Sequence, residues 1–403
     1  MSGQIVPAHR TEHITYAVRD IVLYAKQVER DTGKEMLWLN IGDPNAYDFE
    51  TPPHIVEAIH KALLNNYNGY SPSSGTDEAV DAIRRSAERK GIRSIRDVFV
   101  TTGASEGIDL CLTALANKGE NVLIPSPGYP LYDAILHRLQ VEPRYYYLDE
   151  DNGWQPNLED IASKIDDNTR AIVLINPNNP TGSNCSTETL QGLIDIVQGH
   201  DIVLFADEIY DKMLFDGTRH TSLASLDHEQ PIITFNGLSK NYLGPGLRIG
   251  WGVVSGDDSR IGTYIEAINK LLRARLCANH PIQFAIKPAL EGDQSHIDDM
   301  NRRLTARRNL TVSMLNEIDG ISCVTPGGAF YAFPQLHIRD DDNDFVRKII
   351  AETGVVVVPG AGFGQVPGTR HFRLVFLPPE ETLRTAYEKL ADFMHRHRDA
   401  IVD

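Results

Sequence analysis

Apolar runs of strand length alternate with helical patterns through the middle of the chain, and this alternation restricts the fold more than any other feature. The runs are Val98 to Thr102, Asn121 to Pro125, Ala171 to Ile175, Ile202 to Ala206, Pro231 to Phe235 and Ile249 to Val254, with helical patterns over Ile108 to Ala116 and Thr187 to Val197. A strand that is apolar at nearly every position must be covered on both faces, which is the signature of a mostly parallel sheet between layers of helices. After about residue 290 the pattern changes to a charged helical stretch, Met300 to Ile318, and then to short strands around Phe330 to Phe333, Val355 to Val358 and Phe372 to Phe376. This second region reads as a smaller α+β domain. At 403 residues the chain exceeds the size at which one apolar core keeps growing. The expected division is an N-terminal segment 1–45 that packs back on the small domain, a large domain 46–290 and a small domain 291–403.

Composition removes several classes of function. Apolar residues make up 41% of the chain and charged residues 23%, without low-complexity tracts, so burial can offset chain entropy. The net charge of −16 opposes binding to a phosphate backbone, whose partners draw affinity from lysine and arginine. No stretch is long and apolar enough to span a bilayer, and residues 1–10 lack the apolar core of a signal peptide. A cytoplasmic protein with neither nucleic-acid nor membrane partners is expected. Cys111, Cys185, Cys277 and Cys323 are too few and too scattered for a disulfide framework, and the 14 histidines show no paired-ligand spacing. No metal is expected.

In a parallel sheet, the residues just past the carboxyl ends of the strands converge on the ligand crevice. That rule selects Gly103 to Glu106, Asn176 to Gly182, Asp207 to Tyr210 and Asn236 to Lys240. Lys240 follows an apolar strand among small residues, the position an enzyme needs for a lysine that holds a carbonyl cofactor; a solvated surface charge is the ordinary alternative. Pyridoxal phosphate chemistry further requires an acid at the ring nitrogen, a phosphate cradle, a ring-stacking group and an anchor for the substrate carboxylate. Asp207 can pair with the pyridine nitrogen and keep it protonated, or it caps a turn. Gly103, Ala104 and Ser105 open a helix whose free N–H groups suit a phosphate, or they form an ordinary helix start. Arg248 offers a planar charged fork to the same phosphate. Asn179 and Tyr210 can donate to a cofactor oxygen, or they serve local turns.

The ordered set Asn178-Asn179-Pro180-Thr181-Gly182, Asp207 with Tyr210, Ser239-Lys240, Gly246 with Arg248, and Phe372-Arg373 resembles the motifs of class I/II aminotransferases of fold type I. Leu39 to Pro44, Ile175 to Gly182, Asn236 to Lys240, Leu276 to Asn279 and His371 to Pro379 are most similar to the alanine aminotransferase branch. The resemblance runs from about Tyr16 to about Pro379. It implies a large domain with a mostly parallel seven-stranded sheet, pyridoxal 5′-phosphate as cofactor, amino acid and 2-oxo acid substrates, and a homodimer. Carried over residue by residue, it implies that Lys240 is the catalytic lysine that anchors the cofactor and shuttles the proton. It implies that Asp207 partners the pyridinium, that Asn179 and Tyr210 partner the cofactor oxygen, and that Ala104, Ser105, Ser239 and Arg248 hold the phosphate. It further implies that Tyr129 stacks on the ring and that Tyr70 crosses to the neighbouring subunit's phosphate. In the same resemblance Arg373 matches the arginine that grips the substrate carboxylate, with Gly42 and Asn179 beside it, and Tyr16 resembles an aromatic that closes the pocket, with plain packing as the alternative. Many relatives carry a phosphate-contacting serine three residues before the lysine, where Gly237 stands here.

The expected reaction is transfer of the amino group of alanine to 2-oxoglutarate. Arg19, Arg273 and Arg275 are candidates for its distal carboxylate, with surface ion pairing as the alternative for each. A broad aspartate or aromatic aminotransferase and a C–S β-lyase use nearly all the same residues. A regulator built on this fold would carry an added DNA-binding domain, for which the residues before Gly42 leave little room. Gly244 to Gly246 and Gly360 to Gly364 are glycine-rich but lack the strand, helix and distant acid of a dinucleotide fingerprint, and read as turns.

Overall fold

A computed structural model describes residues 5–12 and 17–402 of the chain. The first strand, β1 (Leu37–Trp38), lies outside the main sheet. That sheet has eight strands among the described residues: β2 (Ile95–Thr101), β3 (Asn121–Ser126), β4 (Glu142–Asp149), β5 (Gln155–Pro156), β6 (Thr169–Ile175), β7 (Val203–Asp207), β8 (Ile232–Gly237) and β9 (Gly250–Ser255). Their spatial order is β2-β9-β8-β7-β6-β3-β4-β5. Strands β8, β7, β6, β3 and β4 pair in parallel, and β9 is antiparallel to both its neighbours. Strand β2 therefore points the same way as the parallel set.

Alternate residues of the inner strands enter two separate apolar cores, one on each face. Ile172, Leu174, Leu204 and Ile232 belong to the first, where Leu190, Leu193 and Ile194 of the helix Thr187–Val197 cover them. Val173, Ile175, Phe205 and Ile233 belong to the second, with Ile108 and Leu112 of the helix Ala104–Leu115 and Ile261 and Ile268 of the helix Asp258–Ala274. This two-sided burial is the reason these strands are apolar throughout.

The sheet has eight strands where seven are expected. The extra one is β5, two residues long, which pairs antiparallel with the edge of β4 and is too short to carry a hydrophobic pattern. The pattern also leaves β4 unmarked, because it opens on Glu142-Pro143-Arg144 and buries only alternate residues such as Tyr146 and Leu148.

The remaining strands are β10 (Ile321–Ser322), β11 (Tyr331–Ala332), β12 (Gln335–Leu336), β13 (Val355–Val356), β14 (Val358–Pro359) and β15 (Phe372–Val375). Strands β11, β15 and β14 form an antiparallel sheet, and β1 pairs in parallel with β13. The early part of the chain is thus tied to the late part. Tyr24 donates to Arg347 O at 3.4 Å and Lys34 Nζ to Ala351 O at 2.7 Å. This pairing sets Gly42, just past β1, beside Arg373 in β15, with Val375 N donating to Leu39 O at 2.8 Å.

Candidate active site

The chain moves outward from β3 to β4 on one side and returns to β6 on the other, so the strand order reverses between β3 and β6. The crevice at such a reversal is where open α/β sheets bind ligands. A cavity of about 490 Å³ opens there, lined by Tyr129 after β3, Asn179 after β6, Asp207 and Tyr210 at the end of β7, and Ser239 and Lys240 after β8. Ala104 and Ser105 enter it from the helix after β2, Arg248 from the turn before β9, Gly42 from the stretch after β1 and Arg373 from β15. Eleven positions singled out in the sequence therefore meet at one point. Tyr70 is not among them: it is 81% exposed on the outer surface. Tyr16 lies outside the described residues.

Helix Ala104–Leu115 begins at Gly103, which has φ +78° and offers no capping side chain. Its first N–H groups are left for a ligand. A Cβ on Gly103 would overlap the guanidinium of Arg248, so only glycine lets that fork lie over the helix start. Arg248 Nη1 donates to Pro245 O at 2.9 Å, and its backbone is left-handed at φ +51°, which costs an L-residue roughly 1–2 kcal/mol. At position 237 a Cβ would lie 2.7 Å from Ile249 O and 3.0 Å from Gly250 Cα. The close pairing of β8 with β9 therefore excludes a serine there, and Ser239 is the hydroxyl that this loop turns to the cavity.

Asp207 is buried at the tip of β7, where its carboxylate accepts from Tyr132 Oη at 3.2 Å and Ile209 N at 3.3 Å. Burial pushes its carboxyl up to about 6, against those hydrogen bonds and the nearby Lys240. Lys240 Nζ donates to Gly42 O at 2.8 Å and stands 5.2 Å from the centre of the Phe330 ring. Burial, with Arg373 and Arg248 nearby, lowers its ammonium to about 8, while Asp43 and Asp207 oppose the shift. A lysine at its ordinary value of 10.5 would be almost wholly charged near neutrality. In the cofactor-free protein, carbamylation of Lys240 by cyanate, followed by peptide mapping, should reach half its limiting rate near pH 8. A rate still rising toward the ordinary lysine value would contradict that lowering.

Arg373 is buried in β15, with Nη2 donating to Asn40 O at 2.7 Å and Nη1 to Asn179 Oδ1 at 3.3 Å. Its guanidinium lies 4.8 Å from the Tyr331 ring centre and 4.5 Å from that of Phe363. Because Asn179 spends its oxygen on Arg373, its amide N–H₂ is the end left to donate into the cavity. Tyr331 and Tyr132 are site residues that the sequence reading missed. Tyr331 shares a 3.0 Å hydrogen bond with Tyr210 through their hydroxyls, and a Cβ on Gly42 would overlap its oxygen. Neither lies just past the carboxyl end of a strand of the main sheet, so only their packing reveals them.

Of the three arginines considered for a distal carboxylate, Arg19 lines the cavity. Arg275 instead donates to Val100 O at 2.7 Å and Ser73 O at 3.3 Å, and Arg273 is exposed on its helix. Among the described residues no cluster of side chains could hold a metal ion, and no helix is long and apolar enough to cross a membrane. Gly244 and Gly360 border short 3-10 turns, as their spacing suggests.

The donor set suits pyridoxal phosphate. An uncapped helix start with an arginine fork over it meets a dianion, a buried carboxylate meets a protonated ring nitrogen, and an amine of lowered proton affinity meets an aldehyde. The glycines at 42 and 103 keep the cradle open.

A family model described as aminotransferase class I and II matches residues 34–390. The chain is 41% identical to an alanine aminotransferase of Mycobacterium tuberculosis, over 96% of this chain and 92% of that protein. It is 38% identical to the glutamate-pyruvate aminotransferase AlaA of Escherichia coli, over 97% of this chain and 98% of that one. The solved structure of an alanine aminotransferase from Pyrococcus furiosus superposes with a TM-score of 0.93 at 38% identity, covering 97% of this chain and all of the other. The chain belongs to the class I and II aminotransferases, enzymes of fold type I that depend on pyridoxal phosphate.

Proposed function

We propose that this enzyme transfers the amino group of alanine to 2-oxoglutarate, giving pyruvate and glutamate. The observation that carries the reading is the convergence of Lys240, Asp207 and Arg373 on one cavity whose outer wall, Val22 and Ile41, is apolar and supplied by the N-terminal part of the chain. A small apolar wall favours a methyl side chain, and the relatives named above are alanine and glutamate-pyruvate aminotransferases.

When bound, pyridoxal phosphate supplies an aldehyde that links to amines and a ring that takes up an electron pair. Ala104, Ser105, Ser239 and Arg248 hold its phosphate, Tyr129 covers its ring, and Asn179 and Tyr210 donate to its phenolic oxygen. The Asp207 carboxylate keeps a proton on the ring nitrogen. Arg373, fixed by Asn40 and Asn179 and packed against two rings, grips the substrate α-carboxylate beside Gly42. That grip is chiefly an orientation effect. Lys240 Nζ accepts the α-proton of the amino donor and, in the return half of the cycle, delivers the α-proton of the product amino acid. Donor and acceptor use one site, so they enter in turn, and Arg19 meets the distal carboxylate of 2-oxoglutarate.

We take the enzyme to be a cytoplasmic homodimer in which Tyr70 reaches the partner subunit's phosphate. Tyr70 (81% exposed), Leu64 (72%) and Leu276 (55%) form an exposed apolar set that a second subunit would cover. In the domain division, 46–290 holds the cofactor and 291–403, with the segment 1–45, closes over it.

An amino-donor and keto-acid panel on the purified enzyme tests the reading. Alanine with 2-oxoglutarate should exceed aspartate and aromatic donors. Arg19→Ala should raise KM for 2-oxoglutarate by roughly ten-fold, the loss of one charge-assisted contact, while leaving KM for alanine little changed. Preference for aspartate or an aromatic donor would redirect the assignment within the family. Release of pyruvate and ammonia from cystathionine without an acceptor would make the enzyme a lyase.

A further inference from the structure

Immediately behind the cavity lies a buried polar cluster that the catalytic reading does not use. Asp211, one residue past Tyr210, is 6% exposed. Its Oδ1 accepts from Asn236 Nδ2 at 3.0 Å and from Asn241 Nδ2 at 2.6 Å, and its Oδ2 is paired with Lys90 Nζ. Asn236 belongs to β8, and its amide also donates to Glu208 O at 2.8 Å. Asn241, 1% exposed, is the residue after Lys240, and its Oδ1 accepts from Lys212 N at 3.4 Å. Lys90 follows the helix Asp77–Arg89 and also reaches Glu208 Oε2 at 3.4 Å, with His220 Nε2 3.2 Å from the same oxygen and Ser222 Oγ donating to Oε1 at 2.6 Å. Burial pushes the Asp211 carboxyl up, but Lys90, His220 and the Asn236 amide outweigh it and hold it at about 2.

One carboxylate oxygen thus joins the loop bearing Asp207 and Tyr210 to the loop bearing Lys240. The same two loops are also joined by Lys212 N donating to Asn241 Oδ1 at 3.4 Å, Asn236 Nδ2 to Glu208 O at 2.8 Å and Lys212 Nζ to Tyr242 Oη at 2.9 Å, but only the Asp211 carboxylate ties Asn236 and Asn241, on either side of Lys240, to one acceptor atom. Lys240 has a long, rotatable side chain, and its amine can serve the cavity only if its backbone is held at a set distance from Asp207 and Tyr210. We propose that Asp211 and Asn241 are positioning residues that fix the Lys240 loop against the Asp207–Tyr210 loop and so set where the Lys240 amine stands. The proposal rests on Lys240 being the anchoring lysine.

The test uses the pyridoxal phosphate-loaded enzyme and two variants. Asn241→Ala removes the tether and leaves the Lys90–Asp211 pair intact. Asp211→Asn combined with Lys90→Met removes both charges and keeps an acceptor oxygen for Asn236 and Asn241. The readouts are the pH midpoint of the visible absorbance band of the loaded enzyme, kcat and KM for the amino donor, and Tm. Asn241→Ala should shift the midpoint by half a unit or more and lower kcat by roughly ten-fold or more, with KM changing far less, because a misplaced proton-transfer group costs rate before binding. The paired variant should keep the wild-type midpoint and most of kcat. A wild-type midpoint and kcat in a folded Asn241→Ala protein overturns the proposal, as does a shift in the paired variant equal to that in Asn241→Ala, which would assign the effect to charge. If the paired variant fails to fold, Asn241→Ala decides alone. Absence of the band in the wild-type enzyme would instead refute the assignment of Lys240 itself.

Discussion

Lys240→Ala should abolish transamination, lowering kcat by at least about 10⁴-fold, the upper end of what a single positioned acid–base group contributes. Two functions disappear with the amine. In the proposed reading Lys240 Nζ is both the covalent anchor just past β8 and the base directed at the substrate carbon. Among the described residues no other lysine lines the cavity, and the neighbouring Tyr210 hydroxyl is held by Tyr331 and pushed well above its ordinary value by burial. A tyrosine so raised is a poor base near neutrality. Stability should move in the other direction. Lys240 is half-buried, and its lowered ammonium means that the cofactor-free protein bears a cost for charging it at pH below about 8. The sign follows from linkage: between about 8 and the ordinary 10.5 the unfolded chain binds more protons than the folded one, so this group makes the fold more stable as pH rises through that window. The alanine variant should lack that contribution. Stopped assays with alanine and 2-oxoglutarate, beside thermal melts of the cofactor-free proteins, check both halves. Turnover within ten-fold of wild type would remove Lys240 from the mechanism.

Asp207→Asn should lower kcat by roughly 10² to 10³-fold, the effect of removing one preorganised charge from a water-excluded site. Asparagine keeps the shape and can still accept from Tyr132 and Ile209, but it cannot hold a proton on a ring nitrogen. The fold should survive and the cofactor-free variant should melt no lower than wild type, because the substitution removes a buried carboxylate whose proton affinity burial raises to about 6. Here the sign is reversed: the folded carboxyl stays protonated at a pH where the unfolded one, at 3.8, is already ionised. Its contribution to stability is fully present below the unfolded value and is lost as pH rises through about 6. The asparagine variant should not show that loss. Steady-state kinetics and melts across this pH range measure both, and a kcat within ten-fold of wild type would show that Asp207 is not the ring-nitrogen partner.

The strands and their ends were legible because burial on both faces writes itself into every residue of a parallel strand. Asp207 and Lys240 stand out for the same reason, as charged residues where apolar runs stop. Gly103 was legible as a helix start but not as the position that admits the Arg248 guanidinium, which depends on a turn almost 150 residues away. Tyr132, Tyr331 and Asp211 carry no local signal: each lies within or beside an ordinary apolar pattern, and its role comes from a partner on another element. The eighth strand escaped notice because two residues cannot display a period.

By itself the sequence determined the sheet, the order in which functional residues leave it, and the type of chemistry those residues can perform. Tertiary structure decided the rest. It closed β1 onto β13 so that Gly42 meets Lys240 and Asn40 meets Arg373, it packed Arg373 against the rings of Tyr331 and Phe363, and it took Arg275 out of the site while leaving Arg19 at its wall. The physical reason is range: hydrophobic periodicity is a property of neighbours in the chain, whereas the proton affinity of Lys240 and the reach of Arg373 depend on desolvation and partners that only folding brings together.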